Sequence, residues 1–148
     1  MPAIGSAPAA PSLSFPATPP FTRTRATRKK NSRRSCCIGG EINRNSLSVN
    51  GMRSINEIGR LNFNMAFLGT TGFAEQSGFN CAVEAEAELK RAVISKTEHC
   101  VMMMDSQKVG RLNPFTFAET NDIRTVITDG KLDPETEEHF RRAGTEVL

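Results

Sequence analysis

The run Cys100–Met104, CVMMM, sets the tightest limit on what this chain can fold into. A strand with one wet face alternates apolar and polar residues. An unbroken apolar run belongs to a strand buried on both faces, the mark of a parallel sheet packed under helices. MAFLG at 65–69 has the same form, and IRTVIT at 123–128 carries a shorter such run. Between and after them come helical patterns. VEAEAELKRAVISKTE at 83–98 begins with period-two alternation, but Ala, Glu, Leu, Lys and Arg are strong helix formers. Ala85, Leu89, Ala92 and Val93 fall on one helical face, and Glu86 precedes Lys90 by four in the favourable order. MRSINEIGRL at 52–61 places Met52, Ile55, Ile58 and Leu61 at helical spacing. The last helix has the sharpest boundaries: Asp133 as N-cap, Pro134 at N1, Arg141 and Arg142 in the last turn, Gly144 just beyond. TEVL then opens a final strand. CCI at 36–38 is expected as a strand broken by Gly39-Gly40, with a polar extension behind it. TTGFAEQSGFN and RLNPFTFAETND are expected as loops. The alternation predicts an α/β fold, a mainly parallel, partly doubly wound sheet with helices on both faces.

Residues 1–35 form a separate region. They hold six of the eight prolines, and the first forty residues carry seven Lys/Arg and no acid, against twelve basic and sixteen acidic residues in the rest. Such a leader has too little apolar surface to offset the entropy of ordering it, and it is expected to be disordered. Three readings stay open: a solvated tail or an unnatural gene start, an organellar transit peptide, or a basic arm for nucleic acid. The expected domain division is 1–35 and 36–148.

No apolar run approaches the ~20 residues that a membrane helix needs. Cys36, Cys37, Cys81 and Cys100 form no C-x-x-C pair. Reduced thiols in a cytoplasmic protein are the expected state, with no metal and no other cofactor. No P-loop, G-x-G-x-x-G or G-x-S-x-G occurs, and His99 and His139 have no evident acid or nucleophile partner in the sequence.

In an open parallel sheet, ligands bind beyond the C-terminal strand ends. Three such ends are polar or small here: Gly69-Thr70-Thr71-Gly72, Asp105-Ser106-Gln107-Lys108 and Asp129-Gly130. A lysine beside a hydroxyl and loop N–H groups suits a phosphate, and glycine lets the backbone come close. Strand-to-loop transitions favour Asp, Ser and Gly in any case, so composition alone does not separate a ligand site from a turn.

The ordered stretches GGEINRNSLSVNG, NMAFLGTTGF, EAELKRAVI, MMMDSQKVGR and VITDG carry a family resemblance. From about Cys36 to Leu148 the chain resembles the effector-sensing domain of DeoR-type bacterial transcriptional repressors. That domain belongs to the fold group of ribose-5-phosphate isomerase, glucosamine-phosphate isomerase and CoA transferases. The resemblance implies a phosphorylated sugar or related metabolite as effector, bound at the strand tips. It makes Lys108 a phosphate contact and Asp105 the acid preceding it. It makes Glu86 and Lys90 the acid and base of the helix motif, Gly69 and Gly72 the strand-tip glycines, and Asp129 the acid closing its strand. Thr70 and Ser106 complete the expected ligand-binding set. Asn64, Gln107 and Val109 depart from the family pattern, which has Asp, Ser and Phe there. The resemblance further implies homo-oligomers for a complete domain, and DNA contact only through a helix-turn-helix that this sequence does not show. The opening strand of the sensor and its Gly-Thr loop are not recognised either. The isolated chain is therefore expected to be marginal or partner-dependent, because a parallel sheet without its first strands exposes an edge. The competing reading is an isomerase-like enzyme with Glu86 or Asp105 as acid/base. A third is a nucleic-acid-binding module using residues 23–34.

Overall fold

The computed structural model describes residues 35–44 and 47–148. The expectations for the leader thus lie outside the described residues, apart from its last position. The unit Cys36–Leu148 opens with β1 (Glu41–Asn43) and β2 (Ser48–Asn50), an antiparallel pair, followed by α1 (Met52–Ile58). β3 (Phe63–Gly69) leads into β4 (Gly72–Ala74) and β5 (Gly78–Cys81), then α2 (Glu84–Ile94) and β6 (Thr97–Met103). β7 (Phe115–Ala118), β8 (Thr125–Ile127), α3 (Pro134–Arg142) and β9 (Glu146–Val147) complete the order. β3, β6, β8 and β9 lie side by side in that order as a parallel sheet, and β4, β5 and β7 make a small antiparallel one. The α/β expectation with a mainly parallel sheet holds.

Three local expectations are corrected. Cys36–Ile38 forms no strand. The segment behind it is drawn onto α1 instead: Ser54 Oγ donates to Gly39 O at 2.9 Å, and Gly39 N–H donates to Glu57 Oε2 at 3.3 Å. A Cβ on Gly40 would stand 2.0 Å from Ser54 Oγ and 2.6 Å from Asn50 O, so this contact needs glycine. TTGFAEQSGFN is not a loop but the β4–β5 hairpin, in which Phe73 opposes Phe79 and Gly78 turns the chain at φ +74°. Within RLNPFTFAETND, Phe115–Ala118 pairs with β5 as β7. Both segments have few branched residues. Their strand character comes from docking Phe73, Phe79 and Phe117 into the core, a tertiary effect that outweighs local preference.

α3 shows how local chemistry can settle an element unaided. Asp133 accepts from Thr136 N–H at 2.9 Å and from Thr136 Oγ1 at 2.8 Å, and Pro134 fills N1. At the far end Gly144 N–H donates to Arg141 O and Thr145 N–H to Phe140 O, the paired bonds of a Schellman cap, with Gly144 at φ +79°. The two Thr136 bonds hold the Asp133 carboxyl below the usual carboxylate range. Asp133→Ala is expected to lower the melting temperature by a few degrees, read by circular dichroism. The loss should shrink in acid, where the carboxylate that caps the helix is itself protonated.

The core lies on one side of the parallel sheet. The register places Leu68, Met102 and Val126 on that side, where they meet Ala87 of α2, Phe140 of α3, and Phe73, Phe79 and Phe117 of the antiparallel sheet. Phe73 centres the aromatic group, with its ring 4.8 Å from both Phe79 and Phe140. α1 packs on α2. The other side of the sheet leaves Met65, Phe67, Met103 and Ile127 exposed. The continuous apolar runs are therefore real, yet β3 fully buries only Leu68, while β6 buries Cys100, Val101 and Met102 in succession. All four thiols are free, Cys36 and Cys37 exposed, Cys81 and Cys100 buried.

Candidate functional site

The strand tips come together as the parallel register requires. Gly69 lies beside Met103, and Met103 beside Ile127. Met104 N–H donates to Ile127 O at 3.0 Å, keeping the second and third tips abreast as they leave the sheet. Beyond β6 the chain turns through one 3-10 turn, Ser106–Lys108. Asp129 ties that turn to the tip of β8: its carboxylate accepts from Ser106 N–H and Ser106 Oγ, both at 3.1 Å, and from Thr128 Oγ1 at 3.2 Å. Partial desolvation works to raise the Asp129 pKa. Bonds from Ser106, from Thr128 and from the Lys131 backbone outweigh it and hold the carboxyl below its ordinary value. Asp129 thus acts first as a clamp between two tips.

The sign of the resulting pH dependence follows. A carboxyl held low when folded stabilises above its ordinary pKa of about 4 and loses that contribution as pH falls through the lowered value. The gap in melting temperature between this chain and Asp129→Asn is expected to be full above the ordinary carboxylate range and to close as the pH falls below it. A constant gap across that range would show that the carboxylate charge is immaterial.

Lys108 and Asp105 face each other loosely. Lys108 Nζ stands 3.6 Å from Asp105 Oδ2, with the lysine side chain 28% exposed. Asp105 Oδ1 is buried and has no hydrogen-bond partner. A buried acceptor without a donor costs free energy until something donates to it. The tip therefore offers an accessible ammonium beside an unsatisfied carboxylate oxygen.

Thr70 and Gly72 are used differently. Thr70 is buried, its Oγ1 lying 2.6 Å from Gly72 O and 2.9 Å from Asn80 O. A Cβ on Gly72 would meet Arg111 O at 2.4 Å and Asn80 Oδ1 at 2.5 Å. The close approach expected of this glycine is real, and what approaches is the chain's own loop. Gly69, by contrast, is exposed and has open space where a Cβ would stand. Glu86 and Lys90 form a pair at 2.7 Å, with side chains only 27% and 12% exposed, and Lys90 Nζ sits 4.6 Å above the Phe117 ring. That pair packs on β7 and is more enclosed than a solvated surface pair.

Sequence reasoning passed over Asn80, the residue that organises the tip. It is fully buried. Its Oδ1 accepts from Asn113 N–H at 3.0 Å and Asn113 Nδ2 at 2.8 Å; its Nδ2 donates to Arg111 O at 3.2 Å and Gly78 O at 3.3 Å. Its carbonyl accepts from Thr71 N–H at 3.3 Å. One residue thus fastens the two loops: its side chain holds the loop after the 3-10 turn, and its backbone carbonyl holds the loop after β3. Gly110 N–H donates to Phe73 O at 2.8 Å and adds a second tie. An asparagine inside FNC was the available signal, a buried amide demanding partners.

Both histidines have partners that lie far away in sequence. His99 Nε2 is 3.0 Å from Thr125 Oγ1. His139 Nε2 is 3.0 Å from Thr120 Oγ1, and its Nδ1 is 3.9 Å from Glu75 Oε2, at a recess of about 660 Å³. His139 also packs edge-on, 5.9 Å from Phe73, so it has partners that the sequence did not make evident.

A parallel sheet whose strands end in polar, lysine-bearing tips, with a small antiparallel sheet tied to them, defines an α/β domain. Comparison with known proteins sharpens that class. The family model described as the DeoR C terminal sensor domain matches residues 20–130, and the chain belongs to this family. The HTH-type transcriptional regulator GlpR of Haloferax volcanii is 33% identical over 110 residues, covering 74% of this chain and 43% of that protein. The HTH-type transcriptional regulator GolR of Listeria innocua is 28% identical over 109 residues, with 74% and 43% covered. The HTH-type transcriptional repressor GlcR of Bacillus subtilis is 26% identical over 92 residues, with 62% and 35% covered. The chain thus spans about two-fifths of the length of these relatives. Among the described residues no helix is long and apolar enough to cross a membrane.

Proposed function

We propose that residues 36–148 are the metabolite-sensing part of a cytoplasmic DeoR-type transcriptional regulator, and that the strand-tip crevice takes a phosphorylated sugar or a related phosphorylated polyol. The observation that carries this reading is the pairing at the tip of β6: an accessible Lys108 ammonium beside an Asp105 oxygen that is buried and unsatisfied. The ammonium suits a phosphate, and the orphan oxygen suits a hydroxyl donor on the same ligand. Gly69 leaves room at the neighbouring tip, and the Ser106 N–H is oriented by Asp129. Glu86 and Lys90 support the site from α2, through packing on Phe117. Binding without turnover is inferred from the relatives, which are named as transcriptional regulators; Asp105, with its unpaired oxygen, is the group that an isomerase reading would use.

Calorimetry with ribose 5-phosphate, glucose 6-phosphate and glycerol 3-phosphate tests the reading. Saturable heat with at least one of them, and none with the unphosphorylated sugar at the same concentration, is the expected result. No heat with any of the three sinks it, and turnover of ribose 5-phosphate in a coupled assay would instead favour the isomerase reading.

A further inference from the structure

The recess at His139 and the strand tips lie at opposite ends of the β4–β5 hairpin. Gly72 pairs with Asn80 at the tip end, and Glu75 to Ser77 turn the chain at the other. That turn forms one wall of the recess. Thr116 and Thr120–Asn121 form a second, and His139 of α3 with Ala143 beyond it a third. The volume of about 660 Å³ lies within the range of small-molecule sites.

His139 is held in place by the fold itself. Its Nε2 is 3.0 Å from Thr120 Oγ1, and its ring packs edge-on 5.9 Å from the fully buried Phe73. Thr120 is buried in turn, and Thr145 Oγ1 donates to its carbonyl at 3.1 Å. The ring therefore presents Nδ1 to Glu75 Oε2 at 3.9 Å, beyond direct hydrogen-bond reach. When the Nε2 proton is given to Thr120, Nδ1 is an acceptor facing a carboxylate. Two acceptors so placed call for a donor, and one nitrogen can stand within about 2.8 Å of both. In the turn wall, Ser77 Oγ is shut off from solvent and has no hydrogen-bond partner.

The charges select the kind of donor. Glu75 and the exposed Glu119 line the recess, and among the described residues no lysine or arginine does. Such a lining repels the phosphate that Lys108 attracts and favours a cation. No group of three or more metal-ligating side chains exists among the described residues, so the cation is organic. The Thr116 hydroxyl and the Asn121 amide suit a ligand rich in hydroxyl groups.

We propose that this recess is a second small-molecule site, taking a polyhydroxylated amine whose ammonium sits between Glu75 and His139. The proposal is independent of the effector bound at the strand tips. No aromatic ring other than the His139 imidazole lines the recess among the described residues, so binding rests on polar contacts and is weak, in the millimolar range.

The probe is glucamine, and sorbitol, which carries a hydroxyl in place of the ammonium, is the control. Each is titrated at neutral pH into the full, isotope-labelled chain and followed by nuclear magnetic resonance. The expected result is saturable movement of the His139 ring signals and of the Gln76 and Ser77 amides with glucamine. Sorbitol should bind at least about tenfold more weakly. Glu75→Gln, a change in an exposed turn that spectra without ligand would show to be folded, should weaken glucamine about tenfold. Glu138→Gln removes a carboxylate of α3 that pairs with Arg141 and Arg142 outside the recess, and should leave glucamine affinity as it is. Four results overturn the proposal. They are no saturable movement with glucamine, an equal response to sorbitol, and movement confined to signals around Lys108. The fourth is a Glu75→Gln variant that binds no more weakly than Glu138→Gln.

Discussion

Asn80→Ala is expected to destabilise the chain by about 3 kcal/mol, from the loss of a buried, fully bonded amide. Asn80 is fully buried, and its side chain serves four bonds. Alanine would leave the Asn113 N–H and the Arg111 carbonyl without their partner. An unmatched buried group costs about 1–3 kcal/mol, whereas a matched one contributes about 1 net, so the penalty comes mainly from what is left behind. The cavity adds to it. Urea unfolding should show a lower midpoint at unchanged m-value. Because the side chain anchors the 111–113 loop on the residue whose backbone carbonyl holds Thr70 and Thr71, effector affinity should fall with stability. An affinity untouched by Asn80→Ala would show that the tip loops hold their shape without this hub.

Lys108→Ala should separate binding from folding in the opposite way. Charge-assisted hydrogen bonds contribute about 1.5–3 kcal/mol, so affinity for a phosphorylated ligand should drop roughly ten- to hundredfold. Stability should barely change. The partner of Lys108 is half-exposed Asp105 at 3.6 Å, and such ion pairs are worth little. Lys108→Arg should recover part of the affinity, since charge remains while the shape of the donor changes. Calorimetry against the phosphorylated panel reads the affinity, and thermal melting reads the stability. Equal affinity for the alanine variant would remove Lys108 from the site.

The two predictions differ in how visible their residues are in the sequence. Lys108 stands at the end of an apolar run, and the rule that parallel strands present their C-terminal tips to ligands finds it directly. α3 was equally legible, because Asp133, Pro134 and Gly144 act on backbone groups within a few residues. The Glu86–Lys90 pair forms as its spacing dictates. Asn80 was not legible, because its partners lie 31 and 33 residues away and no local pattern encodes them. The β4–β5 hairpin was hidden for a related reason. Its glycines look like breakers, while Gly72 is there to admit Asn80 and Arg111. CCI misled in the other direction, since apolar content alone cannot form a strand when the following glycines are pinned to α1. The histidine contacts, Thr120 to His139 and His99 to Thr125, likewise appear only once the chain is folded.

The distribution of thiols gives this fold a built-in clock. Burial pushes the Cys81 and Cys100 thiols up in pKa, while Cys36 and Cys37 stand in solvent. Only the thiolate attacks an alkylating reagent, so the exposed pair should be consumed at once and the buried pair only as their surroundings open. Cys81 ends β5 next to the hub asparagine, and Cys100 lies in the middle strand of the sheet. The labelling rates of these two cysteines therefore time two separate events, the loosening of the tip loops and the parting of the sheet.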